Sequence, residues 1–387
     1  MIPNPARVLR NVFLIFVPLL LMSRPSRADL QVELVPRFEA WQNERAVMQE
    51  FYGRMAIDAT KTVGTASYRA RAEGFATYDF AEEQLRPIGN PDLRKSRNEA
   101  DLSELWFDAS FESIGIRVGR QPIRWSQSWT LPSLDLLTGR RANRLFFDPL
   151  VDQLTHPDAV RLTKTFSVGS NSVAIEVVRV YGSAPNHFAQ PLKNQDRVDN
   201  HETAAKVSTR FGSLELGIVG SYRYEPRVQQ DDAISGIFGS YAFEDFVFKF
   251  EGGNSSRDAG FATAGTDWFL GNWLFGPQFT FYSDPFLGTS ESEILVYVPL
   301  RYSGDRWIFE LDVMQAFQSP IGTGNADAIK NRFASVRIGR ELREGLTLSV
   351  AAQDYRGNSL SLLGQAESLA GGQVYGLRLE YTGGFTR

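Results

Sequence analysis

Apolar and polar residues alternate with a period of two in many segments along this 387-residue chain. Successive side chains of a β-strand point to opposite faces, so each segment has one apolar face and one polar face. The apolar face carries Phe246, Phe248 and Phe250 in one segment, Leu214, Leu216, Ile218 and Tyr222 in a second, Trp307, Phe309, Leu311 and Val313 in a third, and Leu346, Leu348 and Val350 in a fourth. The repetition predicts a sheet whose two faces meet different environments.

The length and the polar face of these segments favour a membrane barrel over a soluble sandwich. The segments run for about 9–11 residues, the span of a tilted transmembrane strand, whereas sandwich strands are nearer about 5–6 residues. Their polar face carries Lys, Arg, Glu, Ser and Gly, which suits a water-filled interior. Their apolar face is rich in aromatic residues, which suits lipid. We therefore predict an all-β fold, a transmembrane antiparallel up-and-down β-barrel.

The connections between the segments alternate in length. Eighteen candidate strands lie between residues 30 and 382, with sixteen as the alternative because the first two are weakly patterned. Short turns such as Glu112-Ser113 and Gly271-Asn272 alternate with long loops, of which 126–156 is the longest. Short turns at one rim and long loops at the other are typical of barrels in the bacterial outer membrane.

The first 28 residues have the features of a cleaved signal peptide. Arg7 and Arg10 precede the apolar stretch 12–22, and Ser26-Arg27-Ala28 places small residues where a signal peptidase cuts. The apolar stretch is too short for a membrane-spanning helix, which needs about 20 residues. We expect residues 1–28 to be removed and residues 29–387 to form an outer-membrane barrel.

Charge and cysteine content narrow the partners. Cleavage would remove four arginines and no acidic residue, leaving 37 basic against 45 acidic residues, so nucleic-acid binding is not expected. The chain has no Cys, which excludes disulfides and thiolate metal sites. No metal and no cofactor is expected. The expected partners are outer-membrane lipid, lipopolysaccharide and small solutes.

The C-terminal segment suggests a further partner. Tyr375, Leu377, Leu379, Tyr381 and Phe385 share one parity, and Thr386 and Arg387 follow the last aromatic residue. This pattern resembles the C-terminal signature that outer-membrane barrels present to the barrel-assembly machinery. The resemblance implies that the chain is assembled by that machinery.

Arginine dominates the basic residues, with 34 Arg against 7 Lys. Several of them surround the longest loop: Arg117, Arg120, Arg124, Arg140, Arg141, Arg144 and Arg161. If loop 126–156 folds into the barrel, its arginines can form a constriction that favours anionic or polyhydroxyl solutes, because guanidinium directs two donors toward carboxylate or phosphate. Pairing with neighbouring carboxylates and binding of lipopolysaccharide phosphates are the alternatives. The constriction candidates are Arg117, Arg124, Arg140, Arg141 and Arg144.

The parity of apolar residues changes within this region. Ile114, Ile116 and Val118 set a lipid-facing parity at even positions, whereas Ile123 and Trp125 continue the lipid-facing side at odd positions. Because a slip of one residue reverses the facing of every later side chain, we predict a β-bulge near Gly119-Arg120-Gln121 within a strand that runs from 114 to 125.

One hairpin carries a family resemblance. Residues 103–109, the segment Ile116-Arg117-Val118-Gly119-Arg120-Gln121, and Arg124-Trp125 are similar to a hairpin of large proteobacterial porin-like barrels, of which the alginate-export-like group is the nearest. The returning strand of that hairpin corresponds to residues 157–162. The resemblance implies an outer-membrane channel, for polysaccharide or for aromatic and lipidic small molecules. It implies no catalytic residue.

The sequence favours a channel over two other functions. A porin-like channel for small hydrophilic or anionic solutes needs only the strands and an arginine-lined lumen. An export barrel for a polysaccharide or another polymer would use the same strands. An outer-membrane hydrolase would need a nucleophile and a base, but the three histidines, His156, His187 and His201, have no serine at a recognisable spacing. We therefore expect no enzymatic activity.

Overall fold

A computed structural model describes most of the predicted barrel. The described residues are 29–43, 47–79, 100–127, 134, 137, 139–140, 154–182, 202–225, 230–256, 260–283, 292–319, 331–356 and 372–386. The predicted signal peptide, 1–28, lies outside them. In the described part, no helix is both long enough and apolar enough to cross a membrane.

The described secondary structure consists of β-strands. They are β1 Asp29–Asn43, β2 Val47–Val63, β3 Ala66–Asp79, β4 Ala100–Phe111, β5 Ile114–Arg120, β6 Gly139–Arg140, β7 Leu154–Thr155, β8 Asp158–Val168, β9 Asn171–Gly182, β10 Thr203–Phe211, β11 Leu214–Glu225, β12 Gln230–Phe243, β13 Phe246–Ser255, β14 Gly260–Leu270, β15 Trp273–Phe275, β16 Gln278–Tyr282, β17 Ser292–Gly304, β18 Trp307–Ser319, β19 Asn331–Arg343, β20 Leu346–Arg356, β21 Gln373–Tyr381 and β22 Gly383–Thr386.

Twenty of these strands form one antiparallel sheet that closes on itself. Strand β1 pairs with β2 on one side and with β21 and β22 on the other. Because β15 and β16 together make one crossing, as do β21 and β22, the closed barrel has 18 strands and the prediction of eighteen is confirmed. Strands β6 and β7 form a separate two-stranded ladder. Within the described residues, closure leaves the 20-stranded sheet without an edge strand.

The alternation seen in the sequence separates the two faces of the barrel wall. Phe246, Phe248 and Phe250 are exposed on the outer face of β13, whereas Glu251 on the other parity is buried. The same outward parity exposes large apolar side chains on most strands. A soluble monomer rarely exposes so large an apolar surface, so the outer face is suited to lipid.

Two-residue turns join neighbouring strands at one rim of the barrel. Three of them contain a non-glycine residue in the left-handed region, namely Glu112, Glu244 and Asp305, with φ of 51°, 49° and 49°. This backbone twist matches the right-handed twist of the strands that a tight hairpin connects. The chain ends of β1 and β22 lie at the same rim, because Gln31 pairs with Thr386.

Strand β5 ends earlier than the sequence predicted. Its pairing with β4 is regular up to Arg120, and the chain then leaves the barrel wall instead of continuing to residue 125 through a bulge. Gly119 has φ of +119°, and a Cβ there would lie 2.1 Å from the Leu105 carbonyl oxygen. The buried Gln121 then donates from its backbone N to Pro157 O at 3.1 Å and from Nε2 to Ala159 O at 2.8 Å. These bonds fix the point where the chain turns inward.

Replacing Gly119 with alanine is expected to lower the free energy of unfolding by about 1–3 kcal/mol, because the residue would carry a Cβ in a strained backbone region and against a carbonyl. Urea titration of the refolded barrel measures the effect. Gly115 on the same strand is the matched control, because a Cβ there would meet only Thr163 Cβ at 3.9 Å. Equal stability of the Gly119→Ala and Gly115→Ala variants would contradict this account.

Candidate functional site inside the barrel

The segment that follows β5 lies inside the barrel. Leu134 and Leu137 are 0% and 5% exposed and are packed with apolar residues of the inner wall. We call this set the internal apolar cluster; its members are Ile123, Trp125, Leu134, Leu137, Ala159, Val178, Val180, Ala204, Val219, Ile234, Phe238, Phe261 and Tyr282. The wall members have inward parity, since Val178 is fully buried whereas its neighbour Val177 is exposed on the outer face.

Two members of the cluster face the barrel interior and not the lipid. Ile123 and Trp125 were predicted to face lipid, and that prediction is wrong, because they are 1% and 3% exposed within the internal apolar cluster. Apolar residues alternate in the same way whether an extended segment packs against lipid or against an apolar inner wall. Gly236 of β12 makes room for this packing, because a Cβ there would lie 2.7 Å from Leu134 Cδ2.

Two buried carboxylates hold the inner segment to the wall. Trp125 Nε1 donates to Glu176 Oε1 at 2.6 Å, and Ser126 Oγ and Gln127 N each donate to Glu251 at 2.8 Å. Glu176 on β9 and Glu251 on β13 are each 3% exposed. Buried charge-assisted hydrogen bonds are strong and directional. Residues 121–127 are therefore anchored across the inner wall from β8 to β13.

Arg117 lies in a row of charged side chains beside this anchor, in which two arginines stand between two carboxylates. Its Nε donates to Asp108 Oδ2 at 2.9 Å, and its guanidinium lies 4.0 Å from the centre of the Trp106 ring. On the next strand, β8, Arg161 is the cross-strand partner of Arg117, and its Nη2 is 2.5 Å from Glu176 Oε2. The row links β4, β5, β8 and β9, and it ends on the carboxylate that binds Trp125.

The structure describes the side chains of two of the five constriction candidates. Arg117 faces inward, paired as above. Arg124 is exposed between the buried Ile123 and Trp125, so its side chain points away from the wall on which the segment packs. The backbone of Arg140 pairs with Leu154 in the β6–β7 ladder, whereas Arg141 and Arg144 lie outside the described residues.

Further inward charges, not singled out from the sequence, line the strands on both sides of the closure. They form the pairs Arg54–Glu33 at 2.8 Å, Arg69–Asp58 at 2.5 Å, Arg71–Glu73 at 2.5 Å, Arg301–Asp312 at 2.5 Å and Arg337–Glu310 at 2.8 Å. We call these five pairs the ion-pair wall. Their inward parity in the sequence could have identified them as lumen residues. Which residues pair with each other depends on strand register, which the sequence pattern does not give.

The closure between the first and last strands carries three buried charges. Glu39 of β1 lies 2.7 Å from Arg37 Nε and 2.6 Å from Arg378 Nε of β21, and the three side chains are 3–6% exposed. Arg37 also stacks over the Tyr52 ring at 4.3 Å. We call Arg37, Glu39 and Arg378 the seam triad. One carboxylate between two buried guanidinium groups joins the two ends of the sheet.

The histidines form no described catalytic or metal-binding group. His156 is buried, with Nε2 3.9 Å from Glu104 Oε1, while His187 and His201 lie outside the described residues. In the part of the chain that the structure covers, no three His, Asp or Glu side chains are grouped to hold a metal ion.

A closed 18-stranded antiparallel barrel with a segment anchored inside it and a charged inner wall has the architecture of a porin. No protein-family model matches the sequence, and no curated protein is similar to it. Solved structures of similar fold include OccAB3 of Acinetobacter baumannii, with 12% identity, a TM-score of 0.58, and 93% of this chain and 100% of that chain covered.

Two further solved structures share the fold. OccK2 (OpdF) of Pseudomonas aeruginosa in complex with glucuronate has 10% identity and a TM-score of 0.59, covering 93% of this chain and 98% of that one. OmpF of Salmonella typhi in complex with daunomycin has 9% identity and a TM-score of 0.51, covering 92% and 97%. These are outer-membrane porins. At such low identity the similarity establishes the fold.

Proposed function

We propose that this protein is an outer-membrane channel that passes small hydrophilic or anionic solutes. The observation that carries the proposal is the anchoring of residues 121–127 across the inner wall by Glu176, Glu251 and the internal apolar cluster. An internal segment narrows a barrel of this size, which would otherwise enclose a wide aqueous channel. The narrowed passage then selects solutes by size and charge.

The location in the outer membrane follows from the outer face of the barrel. Exposed aromatic and aliphatic side chains cover that face, and closure satisfies the backbone groups of the wall, as a lipid environment requires. In this proposal residues 1–28 direct export and are cleaved. The outward-facing Tyr375, Leu377, Leu379 and Tyr381 of β21 present the C-terminal strand to the barrel-assembly machinery.

We assign selectivity for anions to Arg124 and to arginines of the long loop that follows it. Arg124 projects from the anchored segment, and Arg140, Arg141 and Arg144 follow on the same long loop. Arg117 contributes less to the positive potential of the pore, because its Nε lies 2.9 Å from Asp108 Oδ2 and the two charges largely cancel. The glucuronate complex of OccK2, which has the same fold, supports small anionic sugars as a solute class to test.

Reconstitution of the folded protein into planar bilayers tests the proposal. We expect discrete conductance steps, and glucuronate added to one side should reduce the chloride current as it enters the pore. Refolded protein is first checked by its heat-dependent shift on SDS gels. Folded protein that inserts into the bilayer without opening conductance steps would refute the channel.

Arg124→Gln is expected to shift the anion-to-cation permeability ratio toward cations by about two- to threefold, because a fixed charge at a constriction acts at close range. The reversal potential in a KCl gradient measures this shift. Arg340→Gln is the control, since Arg340 lies on the outer face and stacks on Trp307 at 5.2 Å. An unchanged reversal potential in Arg124→Gln would remove Arg124 from the constriction.

Export of a polysaccharide or another polymer remains the second candidate, supported by the resemblance of the hairpin at 103–121 to the alginate-export-like group. The internal apolar cluster favours small solutes, because it occupies part of the interior that a hydrated polymer would need. Liposome swelling with a series of sugars discriminates the two: a sharp cut-off at small oligosaccharides supports the porin, whereas entry of long chains supports export. We propose no enzymatic activity.

A further inference from the structure

An apolar groove lies on the outer wall, on the side where the barrel closes. It crosses β19, β20, β21 and β1 and has a volume of about 540 Å³. Outward side chains of these strands line it: Ala40, Gln42, Val336, Ile338, Val350, Ala352, Tyr375 and Leu377. The groove exists because small residues, Ala40 and Ala352, stand where neighbouring positions carry larger side chains. Its apolar lining suits a flexible hydrocarbon chain.

Two arginines stand at the loop-side end of the same strands. Arg332 of β19 and Arg356 of β20 are cross-strand partners, and they have the same outward parity as Val336 and Ala352 below them. Their side chains are 49% and 52% exposed. Both guanidinium groups share one carboxylate, that of Asp354, at 3.4 and 3.5 Å. Two cations and one anion leave a net positive charge above the groove.

The arginines mark the upper limit of the apolar band. On β19 the outward residues between Arg332 and Arg340 are Ala334, Val336 and Ile338. Eight residues at about 3.3 Å rise span about 26 Å along a strand, or about 20 Å of height at the usual barrel tilt. At the other end, Arg340 stacks on Trp307 at 5.2 Å, as in an interfacial belt. Arg332 and Arg356 therefore stand at headgroup level in the leaflet nearest the long loops.

We infer that this groove and the two arginines form a binding site for lipid A, the phosphorylated lipid of the outer leaflet. An acyl chain lies along Ala40 and Ala352, and a lipid A phosphate accepts hydrogen bonds from Arg332 and Arg356. Guanidinium directs paired donors that match phosphate oxygens. The inference rests on the outer-membrane location proposed above, but not on which solute passes through the pore.

Native mass spectrometry of detergent-folded protein tests the site. Wild-type protein is titrated with bis-phosphorylated lipid A and, separately, with the same lipid after removal of its phosphates. We expect the phosphorylated lipid to bind about tenfold more tightly. The Arg332→Gln/Arg356→Gln double variant should abolish that difference, and Ala352→Phe should weaken both lipids by filling the groove. Binding of the two lipids with equal affinity to wild-type protein would overturn the inference.

Matched controls separate the site from general effects on the outer wall. Arg340→Gln removes an outward arginine at the opposite end, and Ala264→Phe enlarges an outward alanine of β14; neither should change lipid A binding. If Ala352→Phe changes the subunit stoichiometry and leaves lipid A binding intact, the groove is a contact with a second copy and the inference is wrong. Single-channel conductance of the same preparations reports separately on the proposed channel, so the two failures remain distinguishable.

Discussion

Trp125→Ala is expected to raise the single-channel conductance about twofold, because conductance follows the narrowest cross-section of a water-filled pore. Trp125 is 3% exposed in the internal apolar cluster and donates to Glu176. Removing a buried tryptophan costs about 3–5 kcal/mol, which weakens the anchoring of residues 121–127 to the inner wall and favours their release. The released segment no longer restricts the channel, so conductance steps should also become noisier and more variable.

Trp125→Phe is the matched control for this result. Phenylalanine keeps an aromatic ring in the cluster and loses the Nε1–Glu176 hydrogen bond, so its conductance should stay close to that of the native channel. A Trp125→Ala channel with native conductance would show that residues 121–127 do not set the pore width, provided that the variant folds. Glu251→Ala gives an independent test, because it removes the acceptor of both Ser126 and Gln127.

Glu39→Ala is expected to lower the free energy of unfolding by about 3–5 kcal/mol, because it leaves two buried guanidinium groups without their shared carboxylate. Urea titration of the barrel in lipid vesicles measures the change. Glu33→Ala on the same strand is the control. Its partner Arg54 and Glu33 itself are 25% and 35% exposed, and a pair so exposed contributes about 0–1 kcal/mol. Similar losses in the two variants would show that the seam triad has no special role.

The barrel could be predicted from the sequence because its main signal is local and repeated. The parity of Phe246, Phe248 and Phe250 depends only on neighbouring residues, and the same period recurs on strand after strand. Counting these alternating segments predicted eighteen strands, and the alternation of short and long connections between them indicated a barrel of the bacterial outer membrane. Each strand of a closed membrane barrel has one face toward lipid and one face toward the interior, so the alternation of apolar and polar residues repeats regularly.

The inner segment could not be predicted in the same way, because its alternation matches that of a lipid-facing strand. Ile123 and Trp125 alternate with Arg124 as the residues of a wall strand would, but they pack inside the barrel. A usable signal lay elsewhere, in apolar residues at inward positions of the wall. Val178, Val219 and Phe238 are apolar residues at inward positions of neighbouring strands, and apolar side chains on a face that would otherwise meet water indicate that another part of the chain covers them.

Ion pairing inside the barrel depended on information that local patterns do not contain. The sequence identified arginine as dominant and suggested pairing with carboxylates as one alternative, and Arg117 is indeed paired with Asp108. The members of the seam triad come from opposite ends of the chain. Glu39 and Arg378 meet only because β1 pairs with β21, with Glu39 opposite Arg378. That register is a property of the closed barrel as a whole.

Because Gln31 pairs with Thr386, the first and last strands are neighbours in the closed sheet, and no strand of the barrel stands at an edge as a first or a last strand. The two ends are neighbours at the rim of short turns, so the gap between them is equivalent to one more hairpin turn. A circularly permuted chain, with these ends joined and a new break at another two-residue turn, would contain the same ladder of strand pairs. The order of the strands along the chain therefore affects how the protein is exported and inserted, whereas the pattern of strand pairs in the folded barrel is independent of where the chain begins.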